Sequence, residues 1–227
     1  MKRLFTISFA IAMTGIATAL LAAENIVVPG EYIGGTTAPK FSFLLQSSTL
    51  AVCEGDIRKV RVQVTRTDRT KPCDARSEWC SVKVAADCKA SLILSGIKDV
   101  RAGKVETGRI QGSRYPSGRW TIEFRGHQYT VSYQELTDTK EGYLDYRVLV
   151  ESGRKSLTLV AINHAFRGPE SVMGDLLWAG DLNRDGFLDL LVDAPQNYCP
   201  GQYRLFLSTG KDLEFREIMQ KEMGGCV

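Results

Sequence analysis

The sequence predicts a mainly β protein, folded as an antiparallel sandwich or an open barrel. Three observations predict it. Short stretches alternate apolar and polar residues, as half-buried strands do. Turn residues recur every eight to twelve positions. No long helical period occurs before residue 180.

The chain opens with Met1-Lys2-Arg3, runs apolar from Leu4 to about Leu21, and exits through Ala22-Ala23-Glu24. A basic start, an apolar middle and a small-residue exit are the pattern of a secretory signal peptide over residues 1–23. Ala17-Thr18-Ala19 also satisfies the small-x-small cleavage rule, so the cut is placed after Ala19 or Ala23. The expected location is therefore outside the cytoplasm, periplasmic or secreted. The first cysteine is Cys53, far from the exit, which argues against a lipid-anchored lipoprotein. No later stretch is apolar for long enough to cross a bilayer as a helix.

In chain order, Glu24–Lys40 is rich in Gly, Thr and Pro and reads as a loosely held arm. Phe41–Leu45 is the first expected strand. Arg58–Val64 alternates valine with polar residues and reads as a single half-buried strand. An exposed basic loop follows over Thr65–Asp74. Ser81–Ala85 and Ser91–Leu94 are further short strands. Trp120–Phe124 and Tyr129–Tyr133 form a hairpin that turns at Gly126-His127. A second hairpin, Tyr146–Val150 and Ser156–Ile162, turns through Ser152-Gly153-Arg154. Arg167-Gly168-Pro169-Glu170 is the expected boundary between a disulfide-bonded β-rich part (24–168) and a C-terminal module (169–227), which stands apart or packs with the preceding part as one domain. That module reads as strands Leu176–Ala179, Phe187–Val192 and Tyr203–Ser208. Phe215, Ile218 and Met219 have helical spacing, which predicts a short helix within Lys211–Met223.

Six cysteines, Cys53, Cys73, Cys80, Cys88, Cys199 and Cys226, all follow the signal segment. An even count in an exported chain implies disulfides. Spacing pairs Cys73 with Cys80 and Cys199 with Cys226, which leaves Cys53 with Cys88 by subtraction. Zinc is the competing use, and it is disfavoured because there is no CxxC pair and His127 and His164 are distant in sequence.

The most informative stretch is Asp181-Leu182-Asn183-Arg184-Asp185-Gly186-Phe187-Leu188-Asp189. Oxygen-bearing side chains stand at positions 1, 3, 5 and 9, with glycine at position 6 and apolar runs on both sides. Three carboxylates in one turn repel one another, and a divalent ion reverses the sign of that effect. All-oxygen ligands and a flexible turn favour calcium over magnesium, which demands a stricter octahedron. An ordinary Asp/Asn/Gly turn without metal is the bland alternative. An EF-hand is excluded by Val192 at position 12, where its bidentate carboxylate belongs. With Trp178-Ala179-Gly180 before the loop and Leu190-Leu191-Val192 after it, the segment resembles a single FG-GAP or VCBS-type calcium-binding repeat over about residues 174–208. That resemblance implies a β-hairpin with calcium in its turn, ligated by Asp181, Asn183, Asp185, the carbonyl of Phe187, and Asp189. The family builds propellers from several copies, and only one copy is found here.

Charge excludes some functions and leaves others open. Without Lys2 and Arg3 the chain has 27 basic and 26 acidic residues. Residues 24–127 carry 17 basic against 11 acidic, and residues 128–227 carry 10 against 15. The halves complement each other, or the basic half faces an anionic envelope polymer, a glycan or a protein. No nucleic-acid-binding motif accompanies the charge, so nucleic acid is not expected as a partner.

Ser-x-x-Lys occurs at Ser95–Lys98, Ser152–Lys155 and Ser208–Lys211, each at an expected strand end and none on the helix that such catalysis requires. Glu135, Asp138, Glu141 and Asp145 cluster without a determinable separation. Tyr115, Trp120, Tyr129 and Tyr133 would stack on sugars or pack a core. The expected protein is thus an exported, non-enzymatic binding module of the cell envelope with one mainly structural calcium. The alternative is a hydrolase of envelope glycans or peptides built from residues scattered in sequence.

Overall fold

The computed structural model describes residues 25–28, 30–34, 49–53, 55–66, 80–113, 118–138, 143–166, 174–195 and 202–219. These residues are all-β, with no helix among them. Three five-stranded sheets and one three-stranded sheet carry the chain, every pair is antiparallel, and none closes into a barrel. No helix among the described residues is long and apolar enough to cross a membrane.

The first sheet has the order β1 (Asn25–Val27), β7 (Ala90–Ser95), β3 (Leu50–Cys53), β4 (Asp56–Lys59), β8 (Gly103–Lys104). The small sheet has β6 (Cys80–Ala86) between β2 (Gly30–Gly34) and β5 (Val62–Arg66). A meander follows in chain order: β10 (Arg109–Ser113), β11 (Arg119–Phe124), β12 (His127–Asp138), β13 (Tyr143–Ser152) and β14 (Lys155–Phe166). The last sheet has the order β18 (Phe215–Met219), β17 (Tyr203–Ser208), β16 (Asp189–Asp193), β15 (Asp175–Asp181), β9 (Glu106–Thr107).

The last sheet is the middle of three layers. One of its faces puts Leu176, Ala179, Leu190, Val192 and Phe206 against Trp120, Ile122, Val131, Tyr133 and Val148 of the meander. The other puts Trp178, Leu191, Leu205, Leu207 and Ile218 against Ile26, Val52, Ile57, Leu92 and Leu94 of the first sheet. Burial on both faces explains the unbroken apolar run Leu190-Leu191-Val192, since a strand with one wet face would alternate. The predicted Trp120 face is core: Trp120, Tyr129 and Tyr133 are all buried and not offered to a ligand, while Tyr115 lies outside the described residues.

Several expectations need correction. The Glu24–Lys40 arm contains β1 and β2, and Ile26 and Val27 are fully buried. A strand of three residues, two of them apolar, suffices because β1 adds to β7, so pairing supplies what local composition lacks. The single strand expected over Arg58–Val64 is two: β4 pairs with β3, β5 pairs with β6, and Val60-Arg61 passes between sheets. The first hairpin turns at Arg125-Gly126, with Phe124 opposite His127. The strand expected from Phe187 begins at Asp189. The terminal helix is also overturned. Phe215–Met219 is β18, hydrogen-bonded along β17. Phe215 and Ile218 sit three apart, and a strand sends them to opposite faces, each of which meets a core in a middle layer.

Cys53 and Cys88 are disulfide-bonded, as predicted, joining β3 to the turn before β7 across 35 residues. Cys73, Cys199, Cys226 and the strand expected at Phe41–Leu45 lie outside the described residues, as does the signal segment.

Candidate metal centre

The 181–189 turn joins β15 to β16, so the expected hairpin with a long turn is present. Leu182 and Leu188 anchor it from within: Leu182 enters the core shared with the first sheet, Leu188 the core shared with the meander. Arg184 and Gly186 take positive φ of 62° and 94°, which bends the backbone around its own carboxylates.

Asp181 and Asp189 end the flanking strands and are 2% and 0% exposed. Their oxygens collect the N–H groups of the turn. The Asp185 and Gly186 amides donate to Asp181 at 3.1 and 3.0 Å. The Leu182 and Asn183 amides donate to Asp189 at 2.5 and 3.3 Å. Asn183 accepts from the Asp185 amide through its side-chain oxygen at 3.2 Å and donates through Nδ2 to Asp185 at 3.0 Å. The Phe187 amide donates to Asp185 at 2.9 Å. All five predicted ligand residues therefore belong to one hydrogen-bonded turn. Burial pushes the Asp189 carboxyl up to about 7, against the pull of the Ser208, Leu182 and Asn183 donors. Burial also raises Asp181, opposed by the Gly186 amide and Arg125.

Three contributors come from elsewhere in the chain. Ser208, at the end of β17, donates its amide to Asp189 at 2.7 Å. Its hydroxyl lies 2.7 Å from both oxygens of Asp185 and 2.9 Å from Asp189 Oδ1. The Gly210 amide donates to Asp185 at 2.8 Å. Arg125, at the tip of the β11–β12 hairpin, places Nη2 3.3 Å from Asp181 Oδ2 and Nε 2.7 Å from Glu106. In the sequence Ser208 ends an expected strand and begins a Ser-x-x-Lys match, neither of which marks it for this turn, and Arg125 has no signal beyond preceding Gly126. Ser208 comes to the turn through sheet pairing, 19 positions from Asp189, and Arg125 through the packing of the meander against the middle sheet.

The donor chemistry fits a hard cation: carboxylate, amide and hydroxyl oxygens surround a glycine turn. In the described arrangement these oxygens face the turn's own N–H groups and Ser208, and no three His, Cys, Asp or Glu side chains among the described residues form a metal-holding group. One side of the turn is open. Asn183 and Asp185 line a cleft of about 590 Å³ together with Arg101, Arg184, Arg216 and Thr209. Arg216 pairs with Asp99, which also lines the cleft, at 2.7 Å, and Arg184 Nη2 donates to the Arg101 carbonyl at 3.0 Å.

Among the described residues the other candidates do not gather into a second centre; Glu141 and the side chains of Asp138 and His164 lie outside them. His127 is exposed beside the hairpin tip, and Glu135 is exposed on β12. Ser152 and Lys155 face each other across the β13–β14 turn, and Ser95 is buried at the end of β7. Compared with known proteins, the chain matches no family model, no curated protein and no solved structure.

Proposed function

We propose that this chain is an exported calcium-binding β protein, a non-enzymatic binding module of the cell envelope whose calcium is mainly a structural brace. The observation that supports the metal most directly is the crowding at Ser208. One hydroxyl has one proton to donate, yet it lies within 2.9 Å of three carboxylate oxygens from Asp185 and Asp189. Asp181 is a third acid in the same turn, and Arg125 is a shared partner because it also holds Glu106. The amides of the turn, Ser208 and Gly210 disperse the charge of these carboxylates by hydrogen bonding without removing it, and a divalent cation on the oxygens would offset it. The residues that would hold it are Asp181, Asn183, Asp185, Asp189 and the Phe187 carbonyl, in the manner of a single FG-GAP or VCBS-type repeat.

The bracing role follows from position. The turn ties β15 to β16 in the middle layer, and Ser208 ties it to β17. A cation there would pin three adjacent strands of the sheet on which both cores depend. Export is supported by the signal-like start and by the Cys53–Cys88 bond, which persists in oxidising compartments. The cleft beside Asn183 and Asp185 is where a glycan, an anionic polymer or a protein segment would meet the module.

Thermal melting in calcium and in chelator tests the metal. A ligand at one hundred times its Kd stabilises a fold by about 2.7 kcal/mol, enough to raise the melting temperature by several degrees. Asp185→Ala should remove the difference between the two conditions. Identical melting of the unsubstituted protein with calcium and with chelator would overturn the proposal.

A further inference from the structure

We infer that Arg125 sets how tightly the 181–189 turn holds calcium, lowering the affinity while keeping the metal-free turn closed; this rests on the calcium reading above. The placement of Arg125 is unusual for its residue type. It occupies the first position of a two-residue hairpin turn with φ of 48°, followed by Gly126 at 76°. Both positions of such a turn require positive φ, which glycine and asparagine adopt readily and a long side chain does not. Open space surrounds Gly126, so the glycine there answers to its φ of 76° and not to a crowding neighbour. The contacts of the guanidinium supply a reason for an arginine there.

From the hairpin tip the side chain crosses to the middle sheet. Nε donates to Glu106 at 2.7 Å and Nη2 approaches Asp181 at 3.3 Å. Nη1 lies 2.9 Å from where a Cβ on Gly186 would stand, so the guanidinium covers both the first and the sixth position of the turn. Glu106 and Asp181 are direct cross-strand partners in the β9–β15 register. Two acids opposite each other destabilise a ladder, and Arg125 sits between them. Asp181 Oδ2, the oxygen it approaches, is the one that accepts the Gly186 amide. Arg125 is therefore a fixed positive charge on a carboxylate that would be a calcium ligand.

The same charge has opposite effects in the two states. Without calcium it offsets the repulsion among Asp181, Asp185 and Glu106. With calcium it stands beside a dication and weakens the attraction between the ion and its ligands. A unit charge on a side chain 40% exposed, screened by water and salt, changes cation affinity on the order of threefold to tenfold. Weak affinity suits a protein outside the cell, where modules bind calcium at roughly 10⁻⁴ to 10⁻³ M.

The test is calcium titration by calorimetry, paired with melting in chelator, for the full chain and for Arg125→Gln, Arg125→Lys and Arg125→Asn. The Asn variant removes the charge and tolerates the turn, so it keeps the test valid if the Gln variant folds poorly. Expected are a threefold to tenfold tighter calcium affinity for Gln and Asn, an affinity near the original for Lys, and lower melting of the Gln variant in chelator. Unchanged or weaker affinity in both neutral variants would show that Arg125 only orients Asp181, and would overturn the inference while leaving the calcium site standing. If neither the original chain nor any variant takes up calcium, the calcium reading fails and this inference fails with it.

Discussion

Gly180 is held by its neighbours rather than by its own backbone angles. A Cβ at this position would stand 2.5 Å from the Glu106 carbonyl oxygen and 2.6 Å from the Trp178 ring. The carbonyl belongs to β9, which pairs with β15 at Gly180 and Asp181. A methyl group would push β9 away and carry Glu106 and Arg125 with it. Overpacking a buried site of this kind costs about 1–3 kcal/mol. Gly180→Ala should therefore lower stability by about 2 kcal/mol in denaturant melts and should blunt the response to calcium. Tyr129 offers a pH test. Burial, then the charge and hydrogen bond of Asp212, push its phenol up to about 12 from an ordinary value of 10. The fold favours the protonated phenol, so the stability it contributes is complete below pH 10 and is lost as pH rises through 12. Tyr146 is raised further by its own burial and donates to the Pro195 carbonyl at 2.7 Å, adding to the alkaline loss. Melting temperature should hold between pH 7 and about 9 and fall beyond pH 10, and Tyr129→Phe should soften the fall.

At the scale of the element, legibility followed burial geometry. β11, β12, β13 and β14 were readable because the meander offers one face to a core and one outward, so Trp120, Ile122 and Phe124 are buried while Arg119 and Glu123 are exposed. β18 is not legible as a strand because its sheet has two buried faces. Apolar residues then need no period of two, and Phe215 with Ile218 copies a helical spacing. β1 was missed because three residues carry no period at all, and their partner β7 lies far along the chain. In the candidate site the local turn is legible down to its residues, whereas Ser208 and Glu106 reach it through strand pairing and Arg125 through the packing of the meander on the middle sheet, neither of which spacing along the chain encodes. β16 gives the sharpest energetic statement about the middle sheet. Leu191 is fully buried and points into the core shared with the first sheet, while Leu190 and Val192 on the same strand point into the other. Leu191→Ala should cost about 3 kcal/mol by lost transfer energy and residual cavity. Leu136, 47% exposed on β12, should tolerate Leu136→Ser within about 0.5 kcal/mol. Equal effects of the two substitutions in chemical denaturation would contradict the layered arrangement.

For the whole molecule, the order of layers bears on whether residues 24–168 and 169–227 are separate units. β15 to β18, all from the later segment, supply most of the middle sheet, and β9 from the earlier segment completes it. The meander closes its core with Leu176, Leu190, Val192 and Phe206. The first sheet closes its core with Trp178, Leu182, Leu191, Leu205 and Leu207. Neither flanking sheet closes these clusters with the other; each needs the layer between them, and the first sheet has on its other face, among the described residues, only a smaller cluster of Val27, Ala51, Cys53, Val62 and Ile93. A fragment ending at Gly168 would leave Trp120, Ile122, Val131 and Tyr133 facing water on one side, and Ile26, Val52, Ile57 and Leu92 facing water on the other. Apolar surface on that scale is not left open by a stable monomer. The fragment 24–168 should therefore melt without a cooperative transition and bind a hydrophobic dye strongly, and adding the separate segment 169–227 should restore cooperativity if the two associate. The Cys53–Cys88 bond would persist in the fragment, so the loss would report the missing layer rather than a missing crosslink. A sharp, dye-free melt of 24–168 alone would show that the earlier segment closes its own cores, and the middle layer would then be an addition to a complete domain.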